Sequence, residues 1–184
     1  GHAVITLEPG EKGSGLTFIN NIIGGAIPKE YIKSVEKGIA QAMLRGVVDG
    51  NQVIDVIATL TDGSYHPVDS SDLAFTVAGS LAFQDAAKRA GAVIMEPVMD
   101  VEIVTPEEYL GDVLGDVHSR RGNILGMENR PGVQIIDSQI PLAMMFGYAT
   151  QLRSLTQGRA TYTMQFAHYI PVPAKVMRDL KNNG

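Results

Sequence analysis

Residues 92 to 170 alternate between two apolar rhythms, and the order of that alternation leaves few folds open. "AVIMEPVMDVEIVTP" is rich in Val and Ile and stops at a proline, as a strand does. Thr105, Pro106 and Glu108 then supply an expected N-cap, N1 proline and capping-box acid, so a helix is predicted from there to about Arg121, with Gly122 as its C′ residue. "NILGME" and "VQIIDSQIP" flank the turn sequence "NRPG" and predict a β-hairpin. Pro141 opens a second predicted helix, closed by Gly158, and "RATYTMQFAHYI" alternates as a final strand. The order β-α-β-β-α-β predicts a ferredoxin-like sandwich, two helices over one face of a four-stranded antiparallel sheet.

The first half has a different rhythm. "AVITLEP" and "LTFINNI" read as strands joined by the glycine-rich "GEKGSG". "PKEYIKSVEKGIAQAMLRG" carries Ile32, Val35, Ile39 and Ala42 or Met43 on one helical stripe, with Lys29, Lys33 and Lys37 opposite. "QVIDVIATLTDG" reads as a strand. Ser70 to Ala90 reads as a helix with Leu73, Phe75, Val77, Leu81 and Phe83 spread around it, which predicts burial on more than one face. Gly91 ends that helix and marks the expected boundary, so the chain reads as α+β with two two-layer sandwich domains.

Composition narrows the chemistry. The 184 residues contain no cysteine, which removes disulfides, thiol nucleophiles and thiolate metal sites. His2, His66, His118 and His168 show no metal-binding spacing. The apolar runs fall short of a membrane span and no signal-peptide core opens the chain, so it reads as soluble and intracellular. The net charge of -5 disfavours a simple nucleic-acid binder, yet residues 138 to 178 contain no Asp or Glu and hold Arg153, Arg159, Lys175 and Arg178. Residues 117 to 127 are acid-free and hold Arg120 and Arg121. Such runs predict either a positive surface or buried elements that have no room for carboxylates.

Catalytic signatures are missing. No GxxxxGK[ST] sequence occurs, so nucleotide hydrolysis of that type is not expected from these residues. "GEKGSG" and "IIGGAIP" read as turns, with Gly24 and Gly25 permitting a sharp reversal. His66, Asp69 and Asp72 could be imagined around a metal, as a stand-alone metal-dependent enzyme would need. Asp69 or Ser70 is better explained as a helix N-cap and Asp72 as a first-turn acid facing the helix dipole. Ser70, Ser71 and His66 lack the relation a nucleophilic site requires. Arg120, Arg121, Arg153 and Arg159 fall at or just past the ends of the two second-half helices, where they suit either the dipole or a phosphate contact. Tyr148, Tyr162 and Phe166 could stack on bases, although the alternation of Tyr162 and Phe166 along a strand favours the core.

Four long stretches carry a specific resemblance: "FINNIIGGAIPKEYIKSVEKGI", "GSYHPVDSSDLAF", "EPVMDVEIVTPEEYLGDVLGDVHSRRGNILGM" and "PLAMMFGYATQLRSLTQGRATYTMQF". Together they resemble the C-terminal part of bacterial elongation factor G, the translocation GTPase family, over essentially the whole chain. The resemblance implies an incomplete domain IV over residues 1–91, an arm like the second domain of ribosomal protein S5. It implies a ferredoxin-like domain V over 92–170, and a closing segment over 171–184 that packs back toward domain IV. GTP and magnesium would belong to a domain outside these residues, and no cofactor or metal is expected within them.

The family resemblance also implies a mechanism without a catalytic residue in this chain. Domain IV of the family enters the small-subunit decoding site and holds transfer RNA and messenger RNA during translocation. Its tip would comprise Ser64, Tyr65, His66 and Pro67 with the neighbouring Gly24, Gly25 and Lys29. His66 aligns with a histidine that archaeal and eukaryotic relatives modify; this bacterial-looking sequence is not expected to be modified. Domain V would meet large-subunit RNA near the GTPase-activating centre, with Arg120, Arg121, Arg153 and Arg159 as contacts. The expected protein is a cytoplasmic, monomeric partner of the ribosome with no membrane role. Paralogues acting in ribosome recycling or ribosome protection share this architecture, and the translocase-like "GSYHPVDSS" favours elongation.

Overall fold

The computed structural model describes residues 1–182 and divides into two compact units, Gly1–Ile94 and Met95 onward. The last two residues of the expected closing segment, 183 and 184, lie outside the described residues. Among those described, no helix is long and apolar enough to cross a membrane.

The first unit has a three-stranded sheet of β1 (His2–Pro9), β2 (Leu16–Asn20) and β3 (Val56–Ser64) in the order β1-β3-β2. β1 runs antiparallel to β3, and β2 runs parallel to it through the crossover helix α1 (Lys29–Arg45). Strand β3 starts later than its apolar run because Asp55 adopts a left-handed φ of 56°. There its carbonyl accepts the Gly10 N–H at 2.7 Å and its carboxylate accepts the Gly15 N–H at 3.0 Å. Helix α2 (Asp72–Ala90) completes the unit and ends on Gly91 at φ 73°, as expected of a left-handed C′ glycine.

Val35, Ile39 and Ala42 of α1 meet Phe75, Phe83 and Ala87 of α2 and Ala58 and Leu60 of β3 in one core. The predicted stripe of α1 is therefore the buried one. Helix α2 departs from expectation: Phe75 and Phe83 are fully buried, but Leu73, Val77 and Leu81 are 73%, 48% and 59% exposed. Its apolar side chains at the 73, 77 and 81 positions line the face turned away from the core of the unit, so among the described residues the helix buries one face only.

The second unit is the expected sandwich. Strands β4 (Met95–Thr105), β5 (Asn123–Arg130), β6 (Val133–Pro141) and β7 (Thr161–Pro171) form one antiparallel sheet in the order β5-β6-β4-β7. Arg130 pairs with Val133 across Pro131 and Gly132, which closes the predicted hairpin with Gly132 at φ 81°. Helices α3 (Leu110–Ser119) and α4 (Tyr148–Thr156) cover one face, and Val101, Ile103, Val113, Val117, Ile136, Ile140, Tyr148 and Leu152 fill the core between. Helix α5 (Ala174–Asn182) follows β7.

Both helix starts in this unit differ from expectation. Glu107–Tyr109 and Leu142–Met144 are single 3-10 turns, and α3 and α4 begin only after them. The Thr105 hydroxyl is buried and donates to the adjacent Pro106 carbonyl at 3.3 Å, so it makes no N-cap bond. Gly147 at φ 71° turns the chain into α4. At the end of α3 the left-handed position is Arg121 at φ 58°, one residue before the expected Gly122. Gly122 is required for another reason: a Cβ there would lie 2.5 Å from Val117 Cγ1 and 2.7 Å from the Val117 carbonyl oxygen.

Candidate nucleic-acid interface

The parallel pairing of β2 with β3 sends both strands out of the sheet at the same end. The loop after β2, residues 21–28, and the loop after β3, residues 65–71, are therefore neighbours, and each leads into a helix. The carboxyl ends of parallel strands are where α/β layers expose their loops for binding. Ile27 locks the first loop down, since it is 1% exposed and its side chain fills the space over Gly63, where a Cβ would lie 2.5 Å from Ile27 Cδ1. The Asn21 N–H donates to the Leu60 carbonyl at 2.9 Å and seals the junction.

The predicted tip residues come together here. Gly24 and Gly25 adopt φ 67° and 70° with open space where a Cβ would stand, so the backbone conformation, not crowding, calls for glycine. Lys29 is exposed at the first position of α1. Ser64 closes β3, and Tyr65, His66 and Pro67 are exposed beyond it, followed by Val68 at 93% exposure. His66 sits in a small turn: its N–H donates to Ser70 Oγ at 3.1 Å, and its carbonyl accepts the Asp69 N–H at 3.1 Å.

Helix α2 is capped by Ser71, whose Oγ accepts the Ala74 N–H at 3.1 Å, and not by Asp69 or Ser70 as expected. Ser70 is occupied with the histidine turn one step earlier. Asp72 does lie in the first turn, where its carboxylate accepts the Ser34 hydroxyl at 2.7 Å. Among the described residues no group of three His, Asp or Glu side chains could hold a metal ion. His66 and Asp69 are joined through the backbone of the turn, and the Asp72 carboxylate is directed to Ser34 of α1.

The four arginine candidates of the second unit, Arg120, Arg121, Arg153 and Arg159, do not form one patch. Arg120 is packed inside: its Nε meets Asp116 at 2.9 Å, an Nη donates to the Met144 carbonyl, and the guanidinium lies 4.9 Å from the centre of the Tyr148 ring. Only 14% of the side chain is exposed, so the outward contact expected of Arg120 gives way to an internal one that ties α3 to the approach to α4. Arg121 forks onto the carboxylate of Glu96, itself buried on β4. Arg159 pairs with Glu108 and lies 5.7 Å over the Tyr109 ring, yet its side chain is 55% exposed. Tyr109 and then Glu108 beside it hold its proton more tightly than usual. Arg153 is exposed in the last turn of α4 and has no ion-pair partner among the described residues.

These contacts set α3 and α4 side by side in opposite directions. Arg120 reaches the approach to α4, whereas Arg159, beyond the end of α4, reaches the approach to α3. Helix α3 alone separates the two ends by about 15 Å, from its ten residues. The aromatic candidates divide as well. Tyr148 is 1% exposed and edge-on to Tyr162, so both belong to the core region. Phe166, expected in the core, is 53% exposed because β7 is an edge strand whose pairing shifts register beside it.

Sequence comparison decides the family. Residues 1–91 match the profile described as elongation factor G, domain IV, and residues 93–180 match that of the elongation factor G C-terminus. The chain belongs to the elongation factor G family. It is 58% identical over 176 residues to elongation factor G of Aquifex pyrophilus, an alignment covering 96% of this chain and 25% of that protein. A crystal structure of a Thermus thermophilus protein superposes with a TM-score of 0.88 at 40% identity, covering 96% of this chain and 26% of that one. The chain thus spans about a quarter of the length of these relatives.

As elongation factor G units, the two halves differ in what they expose. The open sheet face of the C-terminal unit carries Asp100, Glu102 and Asp137 beside Thr163 and Gln165 around a shallow hollow of about 510 Å³. Glu102 and Asp137 are direct cross-strand partners, and Asp100 accepts a hydrogen bond from Gln139 at 2.9 Å. This hollow is acidic and lined by no aromatic ring, unsuited to stacking or phosphate contact. Two residues that sequence reasoning assigns no site role, Ile27 and Tyr31, pack against these loops, and Ser70, expected as a helix cap, instead accepts the His66 N–H. Only the helical position of Tyr31, in the same first turn as Lys29, could have flagged it.

Proposed function

We propose that this chain is the ribosome-contacting part of a translation elongation factor G that promotes GTP-dependent movement of transfer RNA and messenger RNA. The domain IV tip, built from Gly24, Gly25, Lys29, Ser64, Tyr65, His66 and Pro67, enters the small-subunit decoding site and acts by shape and charge. The observation that carries this reading is the convergence of two exposed loops and two helix N-termini at one end of the first unit. Backbone N–H groups at helix starts and an exposed lysine suit phosphate oxygens. Arg121, Arg153 and Arg159 contribute contacts to large-subunit RNA, Arg153 foremost because it has no ion-pair partner among the described residues. GTP and magnesium act in another domain of the parent protein, which works in the cytoplasm.

The test is carried out in the full-length parent. His66→Ala is expected to slow translocation while leaving ribosome-stimulated GTP hydrolysis nearly intact. Equal loss of both activities, or no change in translocation, would overturn the assignment. Arg153→Glu is expected to weaken ribosome binding and to reduce the salt slope by about one, as loss of a phosphate contact does.

A further inference from the structure

Three aromatic rings form a column from the core of the first unit to its exposed tip. Phe75, on α2, is fully buried at the base. Tyr31, on the first turn of α1, stacks on it with centroids 4.9 Å apart and planes inclined by 18°. Tyr65, in the loop after β3, stacks on Tyr31 at 6.0 Å and 26° and is 38% exposed. One ring comes from each of three segments that meet at this end of the unit.

The column ends at the residue before His66. On the other side of His66, Ser70 accepts its N–H and the Asp69 N–H closes the turn onto its carbonyl. Ser71 then caps α2, the helix that also supplies Phe75. The backbone of His66 is therefore held from both directions, by Ser70 in the turn leading into α2 on one side and by the ring column based on Phe75 of α2 on the other. Within the column, Tyr31 links the buried ring to the exposed one. Partial burial, with Glu30, Tyr65 and Asp72 nearby, pushes its hydroxyl above the usual tyrosine value.

We propose that Tyr31 is a positioning residue for the tip, holding Tyr65 and thereby the orientation in which His66 is presented to RNA. This rests on the reading that the tip contacts the ribosome. A preorganised loop loses less conformational entropy on binding, so loosening it lowers affinity without removing any contact.

The experiment measures ribosome binding of the full-length parent carrying Tyr31→Leu, Tyr31→Phe, Tyr65→Leu and His66→Ala, with exchange of the His66 amide followed in the same proteins. Tyr31→Leu and Tyr65→Leu are each expected to weaken binding about three- to tenfold, the scale of one aromatic pair, and to speed amide exchange. Tyr31→Phe keeps the ring and is expected to match the parent. On the His66→Ala background Tyr31→Leu should add little, whereas a merely destabilising change would cost the same factor in both backgrounds. Should Tyr31→Leu not fold, His66 amide exchange in Tyr65→Leu keeps the test open, since it reads the hold on the turn and not a contact of Tyr65 with RNA; unchanged exchange there would overturn the proposal. If His66→Ala weakens binding while Tyr31→Leu and Tyr65→Leu do not, positioning is overturned and the reading of the tip stands. If His66→Ala has no effect, both fall.

Discussion

Gly38 of α1 and Thr76 of α2 meet backbone to backbone, and a Cβ on Gly38 would overlap the Thr76 carbonyl oxygen. The contact is reciprocal, because a Cβ on Gly79 would overlap the Val35 carbonyl oxygen. Two glycines, each in the middle of a helix, thus set how closely α1 and α2 approach.

Gly38→Ala should destabilise the first unit by about 3 kcal/mol, although alanine raises helix propensity by about 1 kcal/mol, because a backbone oxygen cannot turn aside as a side chain can. Urea unfolding of the variant measures it. A stabilised protein would show that the helices separate freely.

Capping makes a sharper distinction between nearby residues. Ser71→Ala should cost about 1 kcal/mol, whereas Asp69→Ala should stay within about 0.5 kcal/mol, since the Ser71 hydroxyl is the one that accepts a first-turn N–H. Thermal unfolding of the two variants decides the matter, and a larger loss for Asp69→Ala would return the cap to that residue.

The Arg121 and Glu96 pair couples a left-handed backbone to a buried carboxylate. Arg121→Ala should cost about 2 to 3 kcal/mol by leaving Glu96 without its counter-charge, and adding Glu96→Gln should recover part of that loss. Arg121→Gly should be about 1 kcal/mol less damaging than Arg121→Ala, because glycine adopts φ 58° without strain. Denaturant midpoints of the three variants provide the comparison, and equal values for Ala and Gly would contradict it.

Alkaline pH should expose the burial of Tyr148. Burial first, then the nearby Asp116, pushes its hydroxyl well above the ordinary value of 10.0, with Arg120 opposing. The neutral form is favoured in the folded state, so this contribution is full below pH 10 and declines as pH rises above it, where the unfolded chain ionises and the folded one does not. The expected slope is about 1.4 kcal/mol per pH unit from this group. Of the six tyrosines, one should ionise only as the second unit unfolds, visible as a late step in ultraviolet titration. Tyr148→Phe should remove that step.

Much of the second unit is legible in the sequence because its signals are local. Strand runs of Val and Ile, prolines at strand ends and the Pro131-Gly132 turn each act within a few residues, and their order specifies the sandwich. The helix starts mislead for the same reason. Thr105 has the chemistry of an N-cap, but burial at the end of β4 takes its hydroxyl out of reach, and the first turn tightens into a 3-10 form. Leu73, Val77 and Leu81 resemble core residues because their hydrophobicity is visible in the sequence, while which face of α2 the other described elements of the unit cover is not.

The candidate site divides along the same line. His66, Gly24, Gly25 and Lys29 can be named from sequence, since loops between periodic segments and helix starts are local features. That they share one end of the unit follows from the parallel pairing of β2 with β3, a contact between residues about 40 apart. The fate of each arginine is equally a tertiary matter: Arg120 and Arg153 look alike as basic residues at helix ends, yet one is enclosed by the Met144 carbonyl and the Tyr148 ring and the other is open to solvent. Sequence by itself determined the elements, their order and the residue types available for binding, because those depend on propensity and spacing. Tertiary structure decided which charges remain free and which backbone is held still, because desolvation and packing arise only when distant segments close over one another.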